Sequence, residues 1–407
     1  MPRVFIHFTF LFFAITALSG LWMRGSVFFH TSILPYTNVL HGHSHLAILG
    51  WAFIGAFVVF LTIFWKTITQ KKQAITITLA LCVTSVFMFI AFLYQGYGVI
   101  SIIMSTLHIF IEYWASAFIY RQLKIHSHIP KSAKAFMNGA LLVLILSSIG
   151  PYALGFIAAN GLKDTDFFDM AMYFYLHFQY NGWLTLFLIG LFISIVHLKK
   201  VIMNSFLLII GFWLYFISLF PGYFLSVLWV DLGELPYILA LIGGIGQWLG
   251  VLAILMAIKN SWNLLVLKFT ALTISCLRIT LILLLIKSTM ELGLISPALA
   301  NLIYDTRSIV IGYLHLTLLG FVSIFILTLY QLAGIIKNDA MALNGFIVFF
   351  IGFLLNEIFL FIQGFTQWLN LFRIPFYTQA LLLASCFLLI GVMIQWLAFA
   401  RNKRIFY

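Results

Sequence analysis

The stretch LAILGWAFIGAFVVFLTIFW, residues 46–65, contains twenty consecutive residues without a charge. A helix needs about 20 apolar residues to cross the hydrocarbon core of a bilayer, so this stretch is long enough to span one. Similar runs recur along the 407-residue chain, of which 64% is hydrophobic and only 8% charged. Soluble domains average about 45–50% apolar and about 25% charged residues. The composition therefore predicts an all-α integral membrane protein.

The apolar runs predict a bundle of twelve transmembrane helices, at about 4–23, 41–65, 74–94, 99–120, 135–158, 167–196, 201–220, 236–258, 261–287, 307–331, 342–361 and 377–400. No linker or low-complexity segment separates them, so we expect a single transmembrane domain over residues 1–407. The first run resembles a signal peptide, but it is long enough to span and no clear cleavage site follows it, which favours a retained helix. No internal repeat is evident, which disfavours transporter folds built from inverted repeats.

The formal net charge of +12 would suggest a nucleic-acid partner in a soluble protein. In this chain the basic residues instead cluster in alternate loops. With the first loop placed outside, fifteen Lys and Arg residues fall on the cytoplasmic side and five on the outer side. Cytoplasmic loops retain basic residues in this way, so both termini are expected to be cytoplasmic. The charge predicts a multi-pass protein of a cell membrane, such as the bacterial inner membrane, with lipid and not nucleic acid as its partner.

Histidines are the informative polar residues, because ionisable groups inside a membrane are costly and mark functional sites. Four spans that run in the same direction carry the candidate metal ligands: His41, His43 and His45, His108, His177, and His315. At about 1.5 Å of rise per residue, the last three lie roughly 12–15 Å below the outer ends of their spans. We therefore expect a site in the outer half of the bundle.

Neutral imidazole is a good ligand for haem iron and for copper. His41 and His45 are four residues apart and share a helix face, whereas His43 points elsewhere, so at most two of the three can face one site. A water-exposed histidine cap is the alternative for this group. For His108 the alternative is a hydrogen bond to a neighbouring helix.

Three stretches carry a family resemblance. Residues 41–51, HGHSHLAILGW, resemble the second helix of haem–copper oxidase catalytic subunits, in particular the cbb3-type, and in another register the NnrS family of haem- and copper-containing membrane proteins. Residues 313–320, YLHLTLLG, resemble the haem-ligating tenth helix of both families. Residues 177–183, HFQYNGW, lie in the sixth span, where oxidases place a copper-ligating histidine and a nearby tyrosine.

The resemblance implies a b-type haem, with His315 and one of His41 or His45 as axial ligands. His177 and His43 are then candidates for copper or for a second haem. The seventh and eighth spans lack the histidines that supply copper in oxidases, so a reduced site with one haem is expected and copper is left open. The implied chemistry is redox turnover or binding of O2 or NO, as in an oxidase or a nitric oxide reductase, with an electron donor or partner subunit.

Other polar residues extend this site. The catalytic candidates are Tyr180, Glu112, which shares a helix face with His108, and Glu357. The candidates for binding haem propionates are arginines predicted near the outer ends of spans, since Arg binds carboxylates with two hydrogen bonds: Arg278, Arg307 and Arg373. Structural hydrogen bonding is the alternative for the first set, and snorkelling to the membrane surface for the arginines.

Two rival functions remain open at this stage. A transporter or channel can move metal ions or protons past intramembrane histidines without haem. A non-catalytic haem protein can sense or buffer NO, or assist oxidase assembly. Haem content distinguishes a transporter or channel from the predicted haem protein. Turnover with O2 or NO distinguishes a catalytic haem protein from a non-catalytic one.

Overall fold

The computed structural model describes residues 1–28, 33–371 and 374–402. Within these residues twelve helices are long and apolar enough to cross a membrane, which confirms the predicted all-α bundle. We number them α1 Val4–Phe28, α2 Tyr36–Phe64, α3 Lys71–Gln95, α4 Val99–Ile125, α5 Lys131–Ala159, α6 Asp166–Leu198, α7 Ser205–Val227, α8 Glu234–Asn260, α9 Ala271–Gly293, α10 Arg307–Leu332, α11 Ala340–Trp368 and α12 Tyr377–Arg401.

Two helix boundaries differ from the predicted ones in ways that affect the site. α2 begins at Tyr36 and not near residue 41, because Pro35 has extended backbone and the helix starts directly after it. The predicted ninth span, 261–287, is broken into a short helix Trp262–Lys268 and α9. Thr270 has extended backbone, and its hydroxyl accepts a hydrogen bond from the backbone N–H of Thr273, which caps α9.

The chain packs as two compact units. Unit 1 comprises Met1–Gln122 and Ile326–Tyr407, and unit 2 comprises Leu123–Phe325. α4 and α10 each contribute residues to both units. The expectation of one transmembrane domain over residues 1–407 stays a prediction.

Unit 1 is built around α2, of whose apolar window 89% is buried. Phe13 of α1 stacks on Trp51 of α2 with ring centroids 4.0 Å apart. α11 and α12 approach closely at Gly352, where an added Cβ would lie 2.7 Å from the backbone nitrogen of Leu388. Small residues permit such backbone approach between membrane helices, where packing supplies most of the association energy.

Unit 2 is built around α6, of whose apolar window 89% is also buried. α6 packs against α5, and α7 packs along α8. Asp166 and Asp169 lie in the first turn of α6, where negative charge is stabilised by the helix dipole. The central helix of this unit therefore carries acids at its N-terminus and a buried polar stretch farther along.

Candidate functional site

Three helices change to π-helical hydrogen bonding at a histidine. The π segments are Leu46–Phe53 in α2, His177–Leu184 in α6 and Leu316–Val322 in α10. His45 and His315 immediately precede their segments, and His177 is the first residue of the segment in α6. π turns are rare in proteins overall, but many of those that occur lie at functional sites. We therefore treat His45, His177 and His315 as the candidate site residues.

The same three places share a sequence pattern. A histidine is followed five residues later by glycine and then by an aromatic residue in HLAILGW from residue 45, HFQYNGW from residue 177 and HLTLLGF from residue 315. The expectation of no internal repeat is therefore wrong at this local level. The three helices are four spans apart in the chain. The pattern can be read from the sequence alone. Only the structure shows that each copy coincides with a π segment.

The histidines lie at similar positions along their helices. His45 is the tenth residue of α2, His108 the tenth of α4, His177 the twelfth of α6 and His315 the ninth of α10. The earlier start of α2 brings His45 closer to the others than the predicted boundary did. Each histidine thus lies nine to twelve residues into its own helix, and the shared depth in the membrane stays a prediction.

His45 has a defined ring orientation within unit 1. Its Nδ1 lies 2.9 Å from the carbonyl oxygen of His41, and its ring packs on Phe92 with centroids 4.2 Å apart. Because a carbonyl can only accept a hydrogen bond, Nδ1 carries the proton in the neutral ring and Nε2 carries the lone pair. The half-buried His45 ring therefore presents a nitrogen that can bind a metal.

His315 has the same arrangement in unit 2. Its Nδ1 lies 2.8 Å from the carbonyl oxygen of Ile311, one turn earlier, so Nε2 is again the lone-pair nitrogen of the neutral ring. The ring is half-buried, as that of His45 is. Two of the three repeated histidines therefore share both tautomer and hydrogen-bond partner type.

The rings of His41 and His43 point in different directions, as the spacing predicted. His41 and His45 both contact Tyr97, with centroids 4.4 and 5.8 Å from its ring. His43 faces α1, where its Nδ1 lies 3.0 Å from the carbonyl oxygen of Thr16 and 3.1 Å from Oγ of Ser19. The shared face of His41 and His45 is confirmed.

His108 and Glu112 form a buried pair in unit 1. Nε2 of His108 lies 3.6 Å from Oε1 of Glu112, and Nδ1 lies 2.9 Å from the hydroxyl of Thr84. His108 is fully buried. The prediction that the two share a face is confirmed, and the hydrogen bond to Thr84 matches the alternative in which His108 binds a neighbouring helix. A catalytic role for Glu112 stays a prediction.

At His177 both ring nitrogens have protein partners. Nε2 donates to the carbonyl oxygen of Leu219 at 2.9 Å, and Nδ1 accepts from the amide nitrogen of Asn181 at 3.3 Å. The Asn181 amide is in turn oriented by the ammonium of Lys287, which donates to its Oδ1. This chain of hydrogen bonds fixes the tautomer of His177 and occupies the nitrogens that a metal would use.

Lys287 belongs to a buried polar cluster that the sequence reasoning missed. Its Nζ lies 2.8 Å from Oε1 of Glu291, which also accepts a hydrogen bond from the hydroxyl of Tyr313. Lys287 is fully buried and Glu291 is 8% exposed. The ammonium also lies 5.9 Å from the ring centroid of Tyr180. The i, i+4 spacing of the two charges on a helix was a readable signal of the pair.

The other predicted residues are spread over the structure. The carboxyl of Glu357 is buried and accepts a hydrogen bond from Asn356 at 3.0 Å. Arg278 was expected near the outer end of its span, but this is wrong: it is exposed, about 20 Å before Glu291 along α9, and contacts Trp262. Arg307 is exposed at the start of α10. Arg373 lies outside the described residues, and the roles of the three arginines stay predictions.

The donor sets differ in how well they suit the predicted cofactors. A haem needs one or two axial imidazoles, and His45 and His315 each present one lone-pair nitrogen. Copper in a nitrogen site needs several ligands together, but no group of three His, Cys, Asp or Glu side chains lies within metal-binding reach among residues 1–28, 33–371 and 374–402. The residues therefore fit haem, and the surroundings of His177 do not fit copper.

Neither a protein-family model nor a curated protein matches this chain. The resemblance to haem–copper oxidases and to NnrS proteins therefore depends on the three stretches quoted above and stays a prediction.

Proposed function

We propose that this chain is a multi-pass protein of a bacterial cell membrane that binds b-type haem, with His45 as the candidate ligand in unit 1 and His315 as the candidate ligand in unit 2. The proposal extends to the chemistry that the resemblance implies, namely redox turnover or binding of O2 or NO, as in haem–copper oxidases and NnrS proteins. One observation supports it most. His45 and His315 occur in the same sequence pattern, carry the same tautomer and both precede a π segment.

The hydrogen bond at Nδ1 matters for a ligand. Metal-binding histidines usually donate their second N–H to a carbonyl or carboxylate, which holds the ring in place and raises the basicity of the ligating nitrogen. The carbonyl oxygens of His41 and Ile311 supply that partner from within the same helix. The ring is thereby oriented before any metal binds.

His177 is an internal comparison for the same pattern. It has the glycine and the aromatic residue, but its hydrogen bonds fix the opposite tautomer. We therefore restrict the proposed ligands to His45 and His315, at which Nδ1 donates to a backbone carbonyl. Copper at His177 is not part of the proposal.

A haem held by these residues would supply an iron that takes up electrons one at a time and binds diatomic gases. The protein contributes the ligands and an apolar surrounding. Phe92 packs on the His45 ring and shields it from water. Turnover with O2 or NO would further require an electron donor or a partner subunit.

The test is the haem content of the full-length protein, purified in detergent from cells supplied with haem. We expect a b-type pyridine haemochrome, with iron but no stoichiometric copper in metal analysis. His315→Ala should abolish or change the haem spectrum, because removing a ligand from a buried site loses the cofactor or opens a coordination position.

His197→Ala is the matched control, because His197 is exposed in the last turn of α6 and should leave the spectrum unchanged. A colourless wild-type protein would contradict the proposal and favour histidine-dependent transport of metal ions or protons. If the protein contains haem and binds NO or O2 but shows no turnover, a role in sensing, buffering or oxidase assembly is favoured. A wild-type spectrum at full occupancy in His315→Ala would remove α10 from the site.

A further inference from the structure

Unit 2 contains a cavity beside the Lys287–Glu291 pair. Its volume is about 100 Å³, and it is lined by residues from α6 to α10, including His177, Tyr180, Asn181, Glu291 and Tyr313. A water molecule needs about 10–15 Å³ of such space, so the cavity has room for on the order of seven to ten waters or for a ligand of similar size.

Three polar atoms of the lining residues have no partner in the described part of the chain: Oε2 of Glu291, the hydroxyl of Tyr180 and Oε1 of Gln247. Glu291 accepts both of its hydrogen bonds at Oε1, and in the part of the chain that the structure describes no group donates to Oε2. Nor does any described group pair with the hydroxyl of Tyr180, which is 5% exposed. An ionised oxygen without a donor in a buried place costs about 1–3 kcal/mol or more, so a bound hydrogen-bond donor is favoured there.

Most of the rest of the lining is apolar or aromatic, with Ser226 and Gln247 as further polar residues. Leu225, Ala300 and Ile309 contribute aliphatic surface. Trp229 stacks on the ring of Tyr304 with centroids 3.9 Å apart. Each ordered water needs two to four polar partners, and the aliphatic part of the wall supplies none. A ligand with one polar end and an apolar body matches the distribution of groups better.

We propose that this cavity binds a small aromatic molecule bearing a hydroxyl group. The hydroxyl donates to Oε2 of Glu291 and lies beside the hydroxyl of Tyr180, and the ring packs among the aliphatic and aromatic walls, where offset and edge contacts between rings are favourable. The cation of Lys287 stays paired with Oε1, so the ligand is neutral. The proposal does not depend on haem binding.

The experiment compares a phenol, which can donate a hydrogen bond, with its methyl ether, which cannot. 4-Fluorophenol and 4-fluoroanisole are titrated separately against the full chain in detergent and followed by ¹⁹F NMR. We expect saturable binding of the phenol and at least tenfold weaker binding of the ether, which cannot donate a hydrogen bond. Non-saturating partition into detergent is measured for each probe with protein-free micelles and subtracted.

Two variants place the bound probe in the cavity. Ala300→Leu fills space next to the apolar wall and should abolish saturable binding, whereas Ala271→Leu, at an exposed position in the first turn of α9, should not. Tyr180→Phe removes only a hydroxyl without a partner, so the protein should fold normally and bind the phenol several-fold more weakly.

The proposal would be overturned by any of three results. These are the absence of saturable binding, equal binding of phenol and ether, or phenol binding that Ala300→Leu leaves unchanged in a folded protein. Because Ala300→Leu could disturb packing, its fold is checked by its thermal unfolding profile against Ala271→Leu. If Ala300→Leu does not fold, the double variant Lys287→Met/Glu291→Gln, which carries no charge at either position, is tested instead. Equal binding of the two probes by this variant supports the proposal. Binding that still favours the phenol overturns it.

Discussion

Lys287 and Glu291 form an ion pair inside unit 2, with Nζ and Oε1 2.8 Å apart and one helical turn between the residues. The pair holds the cluster together, because the ammonium also orients Asn181 and the carboxylate also accepts from Tyr313. Through Asn181 it reaches the ring of His177. One ion pair thus determines the hydrogen bonding of three other side chains.

Replacing one member of this ion pair should destabilise the protein far more than replacing both members. Lys287→Met or Glu291→Gln alone leaves an uncompensated buried charge and should lower the free energy of unfolding by about 3–5 kcal/mol. The double variant should be less destabilised than either single variant, because no unpaired charge remains. Denaturant unfolding in detergent, arranged as a double-mutant cycle, measures this. Additive losses would show that the two charges do not interact.

The glycine of the repeated pattern should be required for packing in α6. A Cβ added at Gly182 would lie only 2.2 Å from Cγ1 of Val143 on α5, and valine is stiff at its first side-chain torsion. Gly182→Ala should therefore destabilise the protein by about 1–3 kcal/mol, the usual cost of overpacking.

The controls for this variant come from the same pair of helices. Val143→Ala in the Gly182→Ala background should recover part of the loss, because it removes the clashing methyl groups. Gly155→Ala on α5, where a Cβ meets no atom within 4 Å, should stabilise the helix by about 0.5–1 kcal/mol. The measurement is thermal unfolding of the wild type, Gly182→Ala, the Gly182→Ala/Val143→Ala double variant and Gly155→Ala. Equal melting temperatures for the wild type and Gly182→Ala would contradict the packing argument.

The basic loops predict the membrane topology. A reporter enzyme fused after Lys72 or Lys200 should be active on the cytoplasmic side, whereas one inserted near Asp164 should be active outside. Lys200 follows α6, and Asp164 lies between α5 and α6, so these positions are at opposite ends of one span. A cytoplasmic reporter near Asp164 would reverse the orientation and place the histidines in the inner half of the bundle.

The transmembrane helices could be predicted well from the sequence, because an uncharged apolar run of sufficient length is enough to identify each one. The number of spans and the shared face of His41 and His45 are confirmed, since both depend only on local spacing. Apolarity does not determine which carbonyl accepts which N–H, however, so the π segments at His45, His177 and His315 could not be predicted from it.

The polar cluster in unit 2 was missed for a different reason. The predicted ninth span, 261–287, ends at Lys287, so it leaves this charge at the end of the helix. In the structure the helix starts later, at Ala271, and continues to Gly293, so the charge lies inside. Its burial depends on Glu291, Asn181 and Tyr313, of which the last two come from other helices. Tertiary pairing of this kind is not encoded in the hydropathy of one segment.

The three histidines of α2 should respond differently to substitution. His45→Ala removes the proposed Nε2 ligand, so the haem should be lost or its absorbance should change from a low-spin to a high-spin spectrum. His41→Ala should be nearly silent, because His45 is oriented by the backbone carbonyl of His41 and not by its side chain. His43→Ala should lower thermal stability while leaving the spectrum unchanged, because its ring bonds to Thr16 and Ser19 of α1. Absorbance spectra and melting curves of the three variants, compared at equal protein concentration, distinguish these effects. A wild-type spectrum at full occupancy in His45→Ala, together with loss of haem in His41→Ala, would transfer the ligand role to His41, and the Nδ1 hydrogen bond would then not mark the metal-binding histidine.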